Sequence, residues 1–241
     1  MPVAAWLAFT TASFVLIGAL SLAWELARSR LGTGRRHRSG RMPSSKSVAL
    51  YFVNHGALAP AIGVLLSAVG AIAHPNAGNS PWRAWQIVVA FVCFEGVSYL
   101  VHRALHASSR LYGFHRVHHD HDALHALDAF RQHPVEFFLF QFLGNLPAVL
   151  AFGPAGYVSL WLNLGLRLWT AWLHARGPVR FGPFEYVLTS PAMHHMHHGD
   201  GRRIVNYGGI LSVFDWIGAT AASISRRAGE AAHETRSNRS H

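Results

Sequence analysis

The feature that most limits the fold of this chain is a series of apolar runs about as long as the roughly 20 residues of helix that cross a bilayer. The runs are Ala5–Trp24, Val48–Ala73, Ala84–Val101, Val135–Phe152 and Tyr157–Leu173. Hydrophobic residues make up 51% of the chain and charged residues only 13%, whereas about 25% of residues are charged in soluble domains. We therefore predict an all-α integral membrane protein, a bundle of four to five transmembrane helices whose last two runs form a tight hairpin.

Basic residues between the first two runs set the predicted orientation. Seven Lys or Arg residues lie between Arg28 and Lys46, and loops rich in these residues face the cytoplasm. The formal charge of +10 therefore gathers at membrane flanks, and we expect no nucleic-acid partner. No charged residue precedes Ala5 and Glu25 follows Trp24 directly, so we interpret the first run as a retained helix and not a signal peptide.

Histidines recur at helical spacing in three clusters. The clusters are His102 and His106, then His115, His118 and His119, then His194, His197 and His198. Residues three and four apart share one helix face, so each cluster can direct its imidazoles at one point. With the first loop inside, all three clusters emerge on the cytoplasmic side. Eight imidazoles exceed the four ligands of a structural zinc site, which indicates a cytoplasmic cap that binds two metal ions.

Other histidines near the clusters divide into two kinds. His174 ends the fifth run and His133 precedes the fourth, so either could complete the ligand set, with His174 the better placed. Three more lie off the repeated spacing: His121, His125 and His195. His195 is one residue out of phase with the third cluster, so we expect it to face away from the metals.

Four longer motifs carry a resemblance to a known family. They are HRALH at 102–106, HRVHH at 115–119, RQHPVE at 131–136 and HHMHH at 194–198, followed by NYG at 206–208 and DW at 215–216. Their order and spacing over about residues 84–220 resemble the fatty acid hydroxylase and sterol desaturase superfamily. The resemblance implies a non-haem di-iron centre held by the eight clustered histidines, with His133 and His174 as further candidate ligands.

The same resemblance implies an activity and a division of the chain. The enzyme would use O2 and two electrons to hydroxylate or desaturate a lipid, such as a sterol or a fatty acyl chain. Residues 81–222 would form the di-iron domain, residues 1–80 the N-terminal transmembrane helices with the basic loop, and residues 223–241 a polar flexible tail. No flavin, nicotinamide or haem motif is visible, so a separate ferredoxin, cytochrome or reductase would supply the electrons. No organelle signal is visible either, which favours a bacterial inner membrane.

Two other classes stay open from the residues themselves. A histidine-rich metal transporter or sensor would favour ligands spread through the depth of the membrane. A bis-histidine haem cytochrome would place histidine pairs within the spans. Clusters confined to one side fit neither class as well as they fit an oxygenase.

Charged residues near the clusters support three further hypotheses. Glu95 and Arg167 each precede a histidine by seven residues, and because intramembrane charges usually pair, we predict that they face each other. Arg202 and Arg203 could dock an acidic electron donor, or equally contact anionic headgroups. Four carboxylates could offset the metal charge from outside the ligand set: Asp120, Glu136, Asp200 and Asp215.

Overall fold

A computed structural model describes most of the chain, namely residues 3–30, 44–76, 82–120, 124–153, 160–175, 177, 179–199 and 205–222. Side chains of residues 3–7, 25, 28–30 and 160–163 lie outside this description. The described part is helical, and its extended structure is one isolated bridge between Leu188 and Leu211. The predicted helical class is therefore confirmed. Arg202, Arg203, Asp200, His121 and the predicted tail lie outside the described residues.

Eight helices make up this part of the chain: α1 Val3–Arg30, α2 Ser45–Ala73, α3 Ala84–Ala107, α4 Ser109–His119, α5 Pro134–Phe152, α6 Leu160–His174, α7 Pro191–Gly199 and α8 Val213–Ile217. Two short 3-10 turns separate some of them, at Ala126–Phe130 and Gly182–Tyr186. Helices α2 and α5 each contain a π-helical turn, at Val53–Leu58 and Leu139–Leu143.

Three of these helices, α2, α3 and α5, are long and apolar enough to cross a membrane. Their outward faces are apolar, as at Val64 and Ile72 of α2, which are 72% and 82% exposed. Such large exposed apolar surfaces fit contact with lipid tails. Helix α1 contains a shorter apolar stretch, Ala8–Trp24, so four to five spans remain a prediction.

Capping serines fix where two helices begin. Ser44 accepts a hydrogen bond from the Ser47 backbone N–H at the start of α2, and Ser108 accepts one from Leu111 N–H at the start of α4. Ser108 itself is extended, with φ −107° and ψ 122°, which ends α3 and redirects the chain. The break places the histidines of α3 opposite those of α4.

Tyr51 joins α1, α2 and α6 in a buried core. Its hydroxyl donates to the Thr10 carbonyl at 2.9 Å and accepts from Arg167 Nη1 at 3.1 Å. Its ring lies 5.1 Å from the Phe130 ring, between centroids, in the turn that follows α4. The core therefore ties the N-terminal helices to the segments that carry the candidate metal-binding residues.

Close helix packing joins α3 to α5. A Cβ atom at Gly144 of α5 would lie 2.6 Å from Cδ2 of Phe94 in α3. Only glycine permits this approach without displacing the ring. Small residues allow close backbone packing between membrane helices, and here one brings α5 against the helix that carries His102 and His106.

The predicted pairing of Glu95 with Arg167 is wrong. Glu95 Oε2 accepts hydrogen bonds from the backbone N–H groups of Ile210 and Leu211, at 2.6 and 2.9 Å. Arg167 instead donates to Tyr51, and its guanidinium lies 5.5 Å from the centre of the Phe9 ring. Seven-residue spacing gives the face of each helix but not the neighbour that this face meets.

Candidate metal centre

Histidines from four helices converge at one place. The pairs and triplets on α3, α4 and α7 lie in the last two turns of their helices, and His174 is the last residue of α6. Their spacing of three or four residues keeps each cluster on one helix face. Nine of the ten histidines proposed from the sequence meet here, in two groups.

The first group, the five-histidine group, contains His102, His106, His115, His119 and His197. One nitrogen from each ring lies within 4.8 Å of the corresponding nitrogens of the others. His115 Nε2 lies 3.1 Å from that of His102 and 3.0 Å from that of His119. The His106 and His197 Nε2 atoms are 3.3 Å apart.

The second group, the four-histidine group, contains His118, His174, His194 and His198, whose ring nitrogens also lie within 4.8 Å of one another. His174 Nε2 is 3.2 Å from His118 Nε2 and 3.0 Å from His194 Nε2. The groups are adjacent, since the ring centres of His119 and His198 are 4.5 Å apart.

Acceptors behind four of the rings determine their tautomers. His102 and His197 have Nδ1 2.7 and 2.8 Å from the carbonyl oxygens of Tyr207 and Val205. His174 Nδ1 is 2.8 Å from the carbonyl of Thr170 within α6. A carbonyl only accepts, so these Nδ1 atoms carry the proton. The Nε2 atoms of the same rings therefore present lone pairs to the centre.

Glu136 does the same for the fourth ring. Its Oε1 lies 3.0 Å from His115 Nδ1, and both side chains are at most 1% exposed. The other oxygen, Oε2, is buried without a hydrogen-bond partner among the described residues. Glu136 therefore places a buried carboxyl group directly behind the His115 ring.

The donor set fits metal ions. Lone pairs of neighbouring Nε2 atoms about 3 Å apart repel unless a proton or a cation lies between them. Burial, together with the neighbouring histidines, lowers the pKa values of His118, His194 and His198 well below their usual range. These rings are thus neutral at pH 7, the form in which imidazole binds metals.

His133, the tenth candidate, lies outside both groups. Its Nδ1 accepts a hydrogen bond from the Val135 N–H at 3.1 Å and so caps the start of α5. Its ring packs against Phe114, with centroids 4.8 Å apart. His195 also lies outside, as expected from its phase, with Nε2 2.9 Å from the Ala175 carbonyl.

The suggested carboxylates take different roles. Glu136 meets a candidate ligand, as described, whereas Asp120 accepts from Arg131 Nη2 at 2.9 Å. Asp215 is fully buried and accepts from the Tyr207 and Gly208 N–H groups, both at 2.7 Å. Asp215 therefore holds the segment whose carbonyls contact the rings, and does not contact them itself.

The backbone carbonyls behind three rings were not predicted from the sequence. Every residue has a backbone carbonyl, so the residue types at positions 170, 205 and 207 do not indicate this role. The one available hint was the NYG motif at 206–208, which marks this segment but not the role of its oxygens.

Comparisons with known proteins agree with this geometry. Residues 87–220 match the family described as fatty acid hydroxylase. Human alkylglycerol monooxygenase is 30% identical over 146 residues, which are 59% of this chain and 32% of that protein. The alkylglycerol monooxygenase of Danio rerio is 31% identical over 146 residues, with the same two shares. The ornithine lipid hydroxylase OlsE of Rhizobium tropici is 28% identical over 147 residues, 60% of this chain and 44% of that protein.

These matches cover less than half the length of each relative named. No solved structure matches the chain. The family match spans more than half of the chain and contains both histidine groups. On this match, the chain belongs to the fatty acid hydroxylase family.

Proposed function

We propose that this chain is a membrane lipid hydroxylase whose nine converging histidines hold two iron ions, one in each group. The observation that carries the proposal is the pair of mostly buried imidazole clusters, in which His102, His174 and His197 direct Nε2 lone pairs inward. Zinc would fit the nitrogen ligands but has no redox chemistry. An oxygenase needs a redox-active metal, and imidazole also suits iron.

The proposed reaction oxidises an unactivated C–H bond of the lipid. Bound iron would supply the redox chemistry that activates O2 with two electrons. In hydroxylation, one oxygen atom of O2 is inserted into a C–H bond to give C–O–H. The other oxygen atom takes up two electrons and two protons and leaves as water. Desaturation would instead remove two hydrogens from adjacent carbons, and both oxygens would leave as water. We favour hydroxylation because the relatives named above are a hydroxylase and monooxygenases.

Side chains around the five-histidine group would position the metals and limit the access of water to them. His102 and His115 are 8% and 1% exposed. The Phe140 ring of α5 lies 5.9 Å from the His102 ring, between centroids, and places an apolar surface beside the group. An apolar wall beside buried ligands suits a hydrocarbon segment and excludes water from the reacting carbon.

The substrate class proposed is a membrane lipid with an aliphatic segment, such as a fatty acyl chain or a sterol. Two of the relatives are named as an alkylglycerol monooxygenase and an ornithine lipid hydroxylase. Alkyl groups and lipids both contain aliphatic segments. We also propose that the protein lies in a bacterial inner membrane and that its two histidine groups face the cytoplasm. There a separate ferredoxin, cytochrome or reductase would deliver the electrons.

Metal analysis tests the proposal first. The protein is purified in mild detergent, and bound metals are measured for wild type and for the double variant His118→Ala, His197→Ala, with one substitution in each group. His74→Ala is the matched control, because His74 is a histidine outside both groups, with Nε2 2.8 Å from the Leu150 carbonyl. We expect about two irons per chain in wild type and control, and their loss in the double variant.

Two results would overturn the proposal. Wild type that purifies without iron would favour a transporter or sensor, and an intense Soret band would favour a haem cytochrome. If iron is present, membranes incubated with isotopically heavy O2 and a reductase system should yield a lipid that carries one heavy oxygen. A product that lacks heavy oxygen and has lost two hydrogens would show desaturation.

A further inference from the structure

One short segment, residues 205–212, supports two ligands of the five-histidine group at once. Its Val205 and Tyr207 carbonyls accept from the Nδ1 atoms of His197 and His102. These two histidines come from different helices, α7 and α3. The position of the segment therefore sets the orientation of both rings.

Within the segment, polar contacts fix the backbone locally. Asp215 accepts from the N–H groups of Tyr207 and Gly208. Asn206, at φ 58°, donates to the Met193 carbonyl and accepts from Ala222 N–H. These contacts shape the segment and join it to α7, but none of them reaches α3.

Glu95 provides the link to α3. It is 4% exposed, and its Oε2 accepts from two consecutive backbone N–H groups, those of Ile210 and Leu211. Glu95 precedes His102 by seven residues on the same helix, about 10 Å along its axis. Helix α3 thus holds the segment at two points, through Glu95 at one end and through the His102 ring at the other.

We propose that Glu95 is a positioning residue for the five-histidine group. By holding residues 210–211 against α3, it keeps the Tyr207 and Val205 carbonyls on His102 and His197. This inference rests on the proposed metal function. It also predicts selectivity, because the four-histidine group is supported differently, with His174 held by Thr170 within α6.

The test isolates each group in turn. In a His194→Ala background only the five-histidine group is intact, and in a His106→Ala background only the four-histidine group is. Glu95→Gln keeps an acceptor oxygen without the charge, and Glu95→Leu removes the acceptor. Cobalt(II) affinity is measured for each protein by competition with a chelator.

We expect Glu95→Gln to weaken cobalt binding about tenfold and Glu95→Leu up to about a hundredfold with the five-histidine group, the range found for residues behind metal ligands. The four-histidine group should bind as before. Hydrogen exchange of residues 205–212 should rise in Glu95→Leu. Asp128→Asn is the control, since Asp128 is also buried and accepts two hydrogen bonds, from Ser47 Oγ and His125 N–H, but contacts neither group.

Equal weakening of both groups, or of neither, would overturn the inference. If Glu95→Leu does not fold, Glu95→Gln decides by the same comparison. Wild type that binds no metal at all would instead contradict the proposed function. The two failures are therefore distinguishable.

Discussion

Replacing Glu136 tests whether an ionised carboxylate behind His115 strengthens metal binding. Its Oε1 accepts from His115 Nδ1 at 3.0 Å, and the side chain is fully buried. A hydrogen bond to a charged group contributes about 1.5–3 kcal/mol, and a neutral one about 0.5–1.5 kcal/mol. Glu136→Gln can keep the bond but not the charge, a loss of about 1.4 kcal/mol or tenfold in affinity.

Glu136→Leu should cost more, because it also leaves the buried His115 N–H without an acceptor. We expect an affinity loss near a hundredfold, or about 2.7 kcal/mol. The assay is cobalt(II) competition with a chelator at fixed pH, on protein in which only the five-histidine group is intact.

Gln132→Ala is the control for this experiment. Its side-chain amide also donates to Glu136 Oε1, but at 3.4 Å, so its removal should change the affinity little. If Glu136→Leu binds cobalt as tightly as wild type, the carboxylate does not support the ligand and the reasoning is refuted.

Three further predictions concern stability. Burial lowers the pKa values of His194, His197 and His198, so below about pH 6.5 the unfolded state binds more protons. The metal-free protein should then lose about 1.4 kcal/mol of unfolding free energy per pH unit for each such histidine; a melting temperature unchanged between about pH 7 and pH 5 would contradict this. Gly144→Ala should cost about 1–3 kcal/mol by overpacking against Phe94, measured by melting in detergent, and the added substitution Phe94→Leu should restore part of the loss. Tyr51→Phe removes the hydrogen-bond acceptor of buried Arg167, which should cost about 1.5–3 kcal/mol while metal content stays at the wild-type value; loss of metal would show a direct role in the centre.

Sequence spacing was sufficient to find most of the candidate metal centre. The eight clustered histidines all belong to one of the two groups, because a three- or four-residue repeat determines a helix face whatever surrounds the helix. His174 had weaker support from the sequence, since it is the one candidate ligand on α6 and has no second histidine at helical spacing. His133 had support only from proximity and from the family motif, and the structure places its Nδ1 at the cap of α5.

Partners across the fold were harder to predict. Glu95 and Arg167 were matched by charge, but Glu95 meets backbone N–H groups that carry no sequence signal. The rotation of each helix about its axis decides such contacts, and packing sets it, as at Gly144 against Phe94. Similarly, the lengths of the apolar runs predicted the helices but could not decide how many of the five runs cross the membrane.

The convergence of helix ends has an electrostatic consequence. Helices α3, α4, α6 and α7 all present their C-terminal turns to the histidines. The dipole of each helix is equivalent to about half a negative charge at that end, so four ends supply roughly two. Imidazoles themselves are neutral when they bind metals. The backbone thus provides much of the anionic field that carboxylate ligands would otherwise bring to the proposed pair of cations.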